Sequence, residues 1–360
     1  MLLRRSADNK FTLVHLFGGL FVIWSATSLI WTPNKFDGTS ELIKLVILAQ
    51  AFVYGSRVTS ISSLILGLSS GLLLSTVVLL LEPWWPDIVL HSTDHAGLFV
   101  NSGSLAEISA LVLIGLIYDT FRLGTSCVYL RQYYRYPSIR SLFLIVAILP
   151  CIILPESRGA WLALAAAFTT WLWSKSKLSA LALIALTGIL ITYSFHIGFH
   201  TQSVVQRLAI WQDAIGGMTW LGHGIGSFWT DYAPLATAVD TFLQRPEHLH
   251  NDWLEIVFEG GFAGAALFAC FIVSAWCSNS QPVARAMFAG FAAEALVDFP
   301  LHNPATAFVA ALCLGHLARN GMSVRDAWYA GRTFLRTGTA NAGRAAGYQS
   351  LSQERSHLPA

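Results

Sequence analysis

The stretch Ile61–Leu81, ISSLILGLSSGLLLSTVVLLL, contains no charged residue and no proline. An α-helix needs about 20 apolar residues to cross the hydrocarbon core of a bilayer. A helix also satisfies its own backbone N–H and C=O groups, which hydrocarbon demands. Apolar segments of the same kind recur at about 12–31, 41–55, 105–123, 141–155, 159–174, 178–197, 252–276, 283–297 and 304–318. The predicted fold is therefore all-α, a polytopic membrane helical bundle of about ten spans. Composition agrees. The chain is 54% hydrophobic and 12% charged over 360 residues, about half the charge of a soluble domain. The first segment is too long for a signal peptide and lacks a small-residue cleavage site, so it is predicted as an anchor. The organisation that follows is a seven-span region over 1–197, a large loop over 198–251, a three-span region over 252–318 and a tail over 319–360. That tail is rich in Gly, Ala and Arg and is expected to lack order.

Lysine and arginine in the short loops set the orientation. Arg4, Arg5 and Lys10 precede the first span, Arg57 follows the second, and Arg122, Arg131, Arg135 and Arg140 follow the fourth. Lys175, Lys177, Arg285 and the arginines of the tail complete the set. With ten spans all of these fall on the cytoplasmic side, as do both termini. The opposite loops are 32–40, 82–104, 155–158, 198–251 and 298–303. Arg158, Arg207 and Arg245 are the arginines that break the sorting rule there, and that exception invites a functional reading.

Other classes find little support. Cys127, Cys151, Cys270, Cys277 and Cys313 are scattered and mostly inside spans, so neither a disulfide frame nor a Cys/His metal site is expected. A net charge of +2 carries no nucleic-acid signal.

The long outer loop holds most of the polar chemistry. Val204, Leu208, Trp211 and Ile215 recur at helical spacing, with Gln206, Gln212 and Asp213 on other faces, predicting an amphipathic helix at the membrane surface. Arg207 borders its apolar stripe. Gly222-His-Gly-Ile-Gly226 predicts a turn. The loop ends in His248-Leu-His250-Asn251-Asp252. Glu255 and Glu259 follow one and two turns into the next span, where a carboxylate is costly unless it meets water or a partner. Gly261 and Gly264 predict a smooth patch for close approach of a neighbouring helix. The outer loops add Asp94, His95, Asp298, His302 and Asn303, and Glu294 lies one turn inside the ninth span. Singly, each residue has an ordinary reading: a boundary arginine snorkels to the interface, and a loop histidine makes one structural hydrogen bond. Those readings leave their joint placement on one face unexplained.

Together these residues resemble the O-antigen ligase and O-antigen polymerase superfamily. The resemblance rests on Arg158-Gly-Ala-Trp-Leu162, on Arg207-Leu-Ala-Ile-Trp211, and on His250-Asn251 followed nine residues later by Gly261-x-x-Gly264. Gly97–Asn101 and Asp298-Phe-Pro-Leu301 extend it to roughly residues 95–318. Members of the family commonly have twelve or more spans, so this chain is short.

The resemblance implies a multi-pass glycosyltransferase of the bacterial inner membrane with a periplasmic active site. Such an enzyme moves a glycan from undecaprenyl diphosphate to an acceptor hydroxyl. Guanidinium groups suit a departing diphosphate, which assigns that clamp to Arg158 and Arg207. His250 is the side chain type that can take the hydroxyl proton near neutral pH. Asn251, Glu255, Trp211, Arg245 and His302 are expected to contact substrate, with Glu255 also orienting His250. With no Asp-x-Asp motif on the outer side, neither a metal nor a cofactor is expected; the partners are the lipid-linked glycan, the acceptor and membrane lipid. The leading expectation is an inverting O-antigen ligase acting on lipid A–core. A polysaccharide polymerase and a protein O-glycan ligase are alternatives within the family. A transporter of lipid-linked sugars is the rival from another class, opposed by the lack of an internal repeat and of broken spans at matching positions.

Overall fold

The computed structural model describes residues 11–58, 60–82, 84, 96, 98–99, 102–123, 139–196, 201–237, 246–278, 282–319 and 321–326. Among them there is no strand, only an isolated bridge between Thr12 and Ser323. The helices are α1 (Leu13–Ser28), α2 (Lys35–Arg57), α3 (Ile61–Leu81), α4 (Ser102–Leu123), α5 (Ile139–Ile148), α6 (Pro150–Ile153), α7 (Arg158–Trp173), α8 (Lys177–His196), α9 (Thr201–Gly216), α10 (Phe228–Asp231), α11 (Asp252–Trp276), α12 (Pro282–Glu294) and α13 (Pro304–Ala318). Each of the ten apolar segments falls on one of these helices, the fifth being split into α5 and α6 at Pro150. Proline lacks the N–H that would continue the ladder.

α3 and α11 are long and apolar enough to cross a membrane by length and composition. Surface chemistry adds to this. α8 leaves Leu178, Leu181, Ile184, Leu186, Ile189 and Leu190 exposed. Apolar side chains on every outward face, without a polar rim, suit lipid rather than water. α4 is the opposite case: Leu105, Ile108, Leu111, Val112, Leu113, Ile114 and Leu116 are all buried, placing it at the centre of the bundle. α2 packs chiefly on α13, α7 on α12 and α1 on α11. Where α2 meets α13 the backbones nearly touch. A Cβ on Gly315 would lie 2.0 Å from the Phe52 carbonyl oxygen, so only glycine permits that approach.

Named contacts fix which loops share an end. The Leu13 N–H donates to the Met322 carbonyl at 3.1 Å and the Val324 N–H to that of Phe11 at 3.2 Å. The Arg319 guanidinium reaches the Val58 carbonyl beside them at 3.1 Å. The first residues of the predicted tail are thus docked on the segment that leads into α1; those from 327 onward lie outside the described residues. At the other end of α1, the Ile225 N–H donates to Ser28 Oγ at 3.0 Å and Thr32 Oγ1 donates to the Ile225 carbonyl at 2.9 Å.

The Gly261 expectation needs correction. Rather than offering a smooth face, Gly261 breaks α11, with φ 65° and ψ −177°. A Cβ there would lie 2.3 Å from the Trp220 carbonyl oxygen. The break frees carbonyls that would otherwise be costly in an apolar setting. The His223 and Gly224 N–H groups donate to the Phe258 and Glu259 carbonyls at 3.0 and 2.9 Å, and Trp24 Nε1 donates to that of Gly260 at 2.8 Å. The turn expected at Gly222–Gly226 is the plug that fills this break, with positive φ at Gly222, Gly224 and Gly226. Gly264 does behave as expected, lying against the Trp24 ring of α1.

Candidate functional site at the ends of α7, α9, α11 and α12

Arg158 opens α7, directly after Ser157, whose side chain caps the helix by accepting the Ala160 N–H at 3.3 Å. Arg207 projects from α9. His250 stands just before Asn251, which caps α11 by accepting the Leu254 N–H at 3.1 Å. Two helix N-termini, each with partial positive charge, therefore open beside these residues.

His250 and Arg207 are drawn together by Asp298, from the loop after α12. Its Oδ1 lies 3.3 Å from His250 Nδ1 and its Oδ2 lies 3.8 Å from Arg207. Arg207 also donates to the Val297 carbonyl. Arg158 reaches across to Ser203 on α9 at 3.5 Å. Partial burial, and then the neighbouring Arg207 charge, lower the Arg158 pKa from its ordinary value, while Asp298 acts in the opposite direction. Two like charges facing one space are eased by an anion between them.

Backbone strain concentrates here. His250 has φ 52° and Glu156, two residues before Arg158, has φ 53°; they are the non-glycine residues with positive φ among those described. Such a conformation costs about 1–3 kcal/mol and persists only where surroundings enforce it. For His250 the enforcing contacts are visible. Trp211 Nε1 donates to the Leu249 carbonyl at 2.8 Å, Glu255 accepts the Leu249 N–H at 2.8 Å, and the Asp252 N–H donates to the Ala295 carbonyl at 3.0 Å. The imidazole itself meets Phe299 edge-on at 4.9 Å.

Glu255 does not face His250, which corrects the orienting role expected of it. Its Oε1 lies 3.0 Å from His248 Nδ1 and 3.2 Å from His302 Nε2. The His248 and His302 rings stack at 3.8 Å, and His248 also meets the Phe299 ring at 5.0 Å. Burial works to lower the His302 pKa, but Glu255, Glu41 and Asp252 outweigh it and hold the imidazole well above its usual range. A cavity of about 340 Å³ opens beside this group, lined by Glu41, Lys44, Trp229, His248, Glu255 and His302 among others.

Of the residues singled out from sequence, Arg158, Arg207 and His250 share one space. Asn251 and Trp211 are engaged in holding it. Glu255 and His302 belong to the adjacent cavity. Arg245 lies outside the described residues, as do Asp94 and His95. α9 also differs in detail from the expected amphipathic helix: Ile210 and Ala214 are its buried apolar residues, and Leu208 and Ile215 remain exposed. Asp213, expected on a polar face, is buried and accepts from Tyr232 at 3.2 Å and Thr237 at 2.7 Å. Asp298 was named among the outer-loop residues but given no role in the site. Its signal was the acid of the Asp298-Phe-Pro-Leu301 segment on the outer side, at the end of a span. Glu294 is a second: fully buried behind Gly159, with neither carboxylate oxygen hydrogen-bonded among the described residues.

Fold and site together define a helical protein with extensive lipid-compatible surface, carrying a paired guanidinium and a carboxylate-bound imidazole at one end. Residues 142–269, a little over a third of the chain, match the family model described as O-antigen ligase. The segment that holds Arg158, Arg207 and His250 is thus similar to the O-antigen ligase family, and the resemblance read from its motifs is borne out there. Asp298, Glu41 and His302 lie beyond it. A comparison with curated proteins gives no match.

Proposed function

We propose that the chain is an inner-membrane glycosyltransferase that moves a glycan from undecaprenyl diphosphate to an acceptor hydroxyl at the periplasmic face, as an O-antigen ligase does with lipid A–core. The observation that carries this reading is Asp298 held between Arg207 and His250. Members of the matched family act on lipid-linked glycans and acceptors in general terms; donor, acceptor and topology are part of the proposal.

In this reading Asp298 accepts Nδ1–H of His250, leaving Nε2 unprotonated and open to the acceptor. As the acceptor oxygen attacks the anomeric carbon, its proton passes to Nε2. The bond from that carbon to the diphosphate oxygen breaks on the opposite face, so configuration inverts. The leaving diphosphate gains negative charge, which Arg158 and Arg207 stabilise, a role often filled by a metal ion in other enzymes. The imidazolium formed is balanced by Asp298 until its proton returns to solvent or to the departing diphosphate. Activity that survives chelation supports this account.

The decisive experiment is the lipopolysaccharide profile of a deletion strain complemented with His250→Ala or Arg158→Ala. Unattached polymer accumulating on carrier lipid supports the ligase. Single repeats capping the core would make the enzyme a polymerase, and normal lipopolysaccharide with under-glycosylated protein would make it a protein-directed ligase. Each variant must first be found in the membrane at the normal level.

A further inference from the structure

Beside the proposed catalytic space lies a cluster it does not use. His248, Glu255 and His302 each offer one donor atom, and these atoms all lie within 4.8 Å of one another. Zinc held tetrahedrally by N and O donors at about 2.0–2.2 Å keeps its ligands about 3.3–3.5 Å apart. His248 Nδ1 is 3.0 Å and His302 Nε2 is 3.2 Å from the same Glu255 oxygen, close to that spacing.

A second observation is independent of that triad. Asp252 Oδ1 is buried and has no hydrogen-bond partner among the described residues, in a residue only 1% exposed. It lies 3.7 Å from His302 Nε2, aimed into the cluster. An unpartnered buried carboxylate oxygen is costly unless a cation answers it. Glu41, Asp252, Glu255 and Glu259 stand around Lys44 and the two histidines.

We infer that His248, Glu255 and His302 form a binding site for a divalent cation of the zinc class, with the buried Asp252 carboxylate beside it. The outer partners that orient metal ligands are in place. Glu255 Oε2 accepts the Leu249 N–H at 2.8 Å, and Asp252 Oδ2 accepts the Leu301 N–H at 2.8 Å. His302 Nδ1 faces Glu41 at 3.7 Å, itself held by Lys44 at 2.6 Å. The adjoining cavity supplies an entry path. The site ties the loop before His250 to the loop after Asp298. It therefore clamps the two strands of chain that carry the proposed base and its carboxylate, a consequence that rests on the proposed function; the metal site itself does not.

The test uses the full-length protein purified in detergent and stripped with a chelator. Zinc titration should give one tight site per chain and a higher melting temperature, and cobalt should give the visible spectrum of a tetrahedral N/O site. His302→Ala and His248→Ala should each weaken binding at least about tenfold, and His250→Ala should leave it unchanged. His248 is a loop residue, so its variant tests ligation even if His302→Ala fails to fold. No stoichiometric binding, equal binding in the His248 variant, or loss of binding in the His250 variant would each overturn the assignment.

Discussion

His250 is held at φ 52° by contacts from α9, α11 and the loop after α12, so its position depends on residues from three other parts of the chain. Asp298 is the one that matters most for its chemistry. Replacing it by Asn keeps the shape, removes the charge balancing an imidazolium and leaves the tautomer free. A charge-assisted hydrogen bond is worth about 1.5–3 kcal/mol, so Asp298→Asn should lower kcat about ten- to a hundredfold with little change in KM. His250→Ala should cost about a hundred- to ten-thousandfold. Rates in a reconstituted transfer assay check both, and an Asp298→Asn rate equal to wild type would remove the carboxylate from the mechanism. The arginine pair makes its own prediction. Inorganic pyrophosphate should raise the melting temperature of the purified protein by binding the folded state. The rise should shrink on Arg158→Ala or Arg207→Ala, and Arg207→Lys should not restore it, because lysine lacks the planar fork.

At the scale of elements, the break in α11 decides the site's architecture. A straight helix through Gly261 would leave no seat for the Trp220–Gly226 plug, and the plug is what joins α11 to the α1–α2 corner. Gly261→Ala combines a positive φ with a backbone clash, so it should destabilise by several kcal/mol, on the order of the large effects tied to strained positions. Gly264→Ala meets only the edge of the Trp24 ring and should cost less. Thermal melts in detergent should rank them in that order. Trp211→Phe keeps the ring and loses its donor to Leu249, a loss of about 1 kcal/mol in stability. Its larger effect should fall on kcat, by loosening the turn that carries His250.

For the whole molecule, α1 separates two ends with different duties. One gathers residues 11–13, Val58, Arg319 and 322–324; the other gathers the 28–38 corner, the plug and the site. If the site end faces the periplasm, a single cysteine placed at Glu156 in a cysteine-free background should react with a membrane-impermeant thiol reagent in intact cells. One placed at Met322 should react only after the membrane is opened. The reverse pattern would put the imidazole in the cytosol and end the proposed reaction.

How much of this was legible from sequence varies with the range of the interaction. The apolar segments were readable because lipid-compatible length and composition are local properties, and each segment falls on a helix. Arg158, Arg207 and His250 were readable because their spacing within short motifs is also local. Glu255 was misread because adjacency along a helix says nothing of which neighbour it faces: it turned to His248 and His302. Gly261 and Gly264 look alike in sequence, yet one breaks its helix and the other accepts a ring, because a loop distant in the chain arrives at the first and Trp24 at the second. Hydrophobic length and motif chemistry are written residue by residue, so the chain alone determined the helical character and the residue types of the site. Which carboxylate meets which imidazole depends on contacts across about 50 to 200 residues, and only packing in three dimensions, where buried charge must find a partner, decided that.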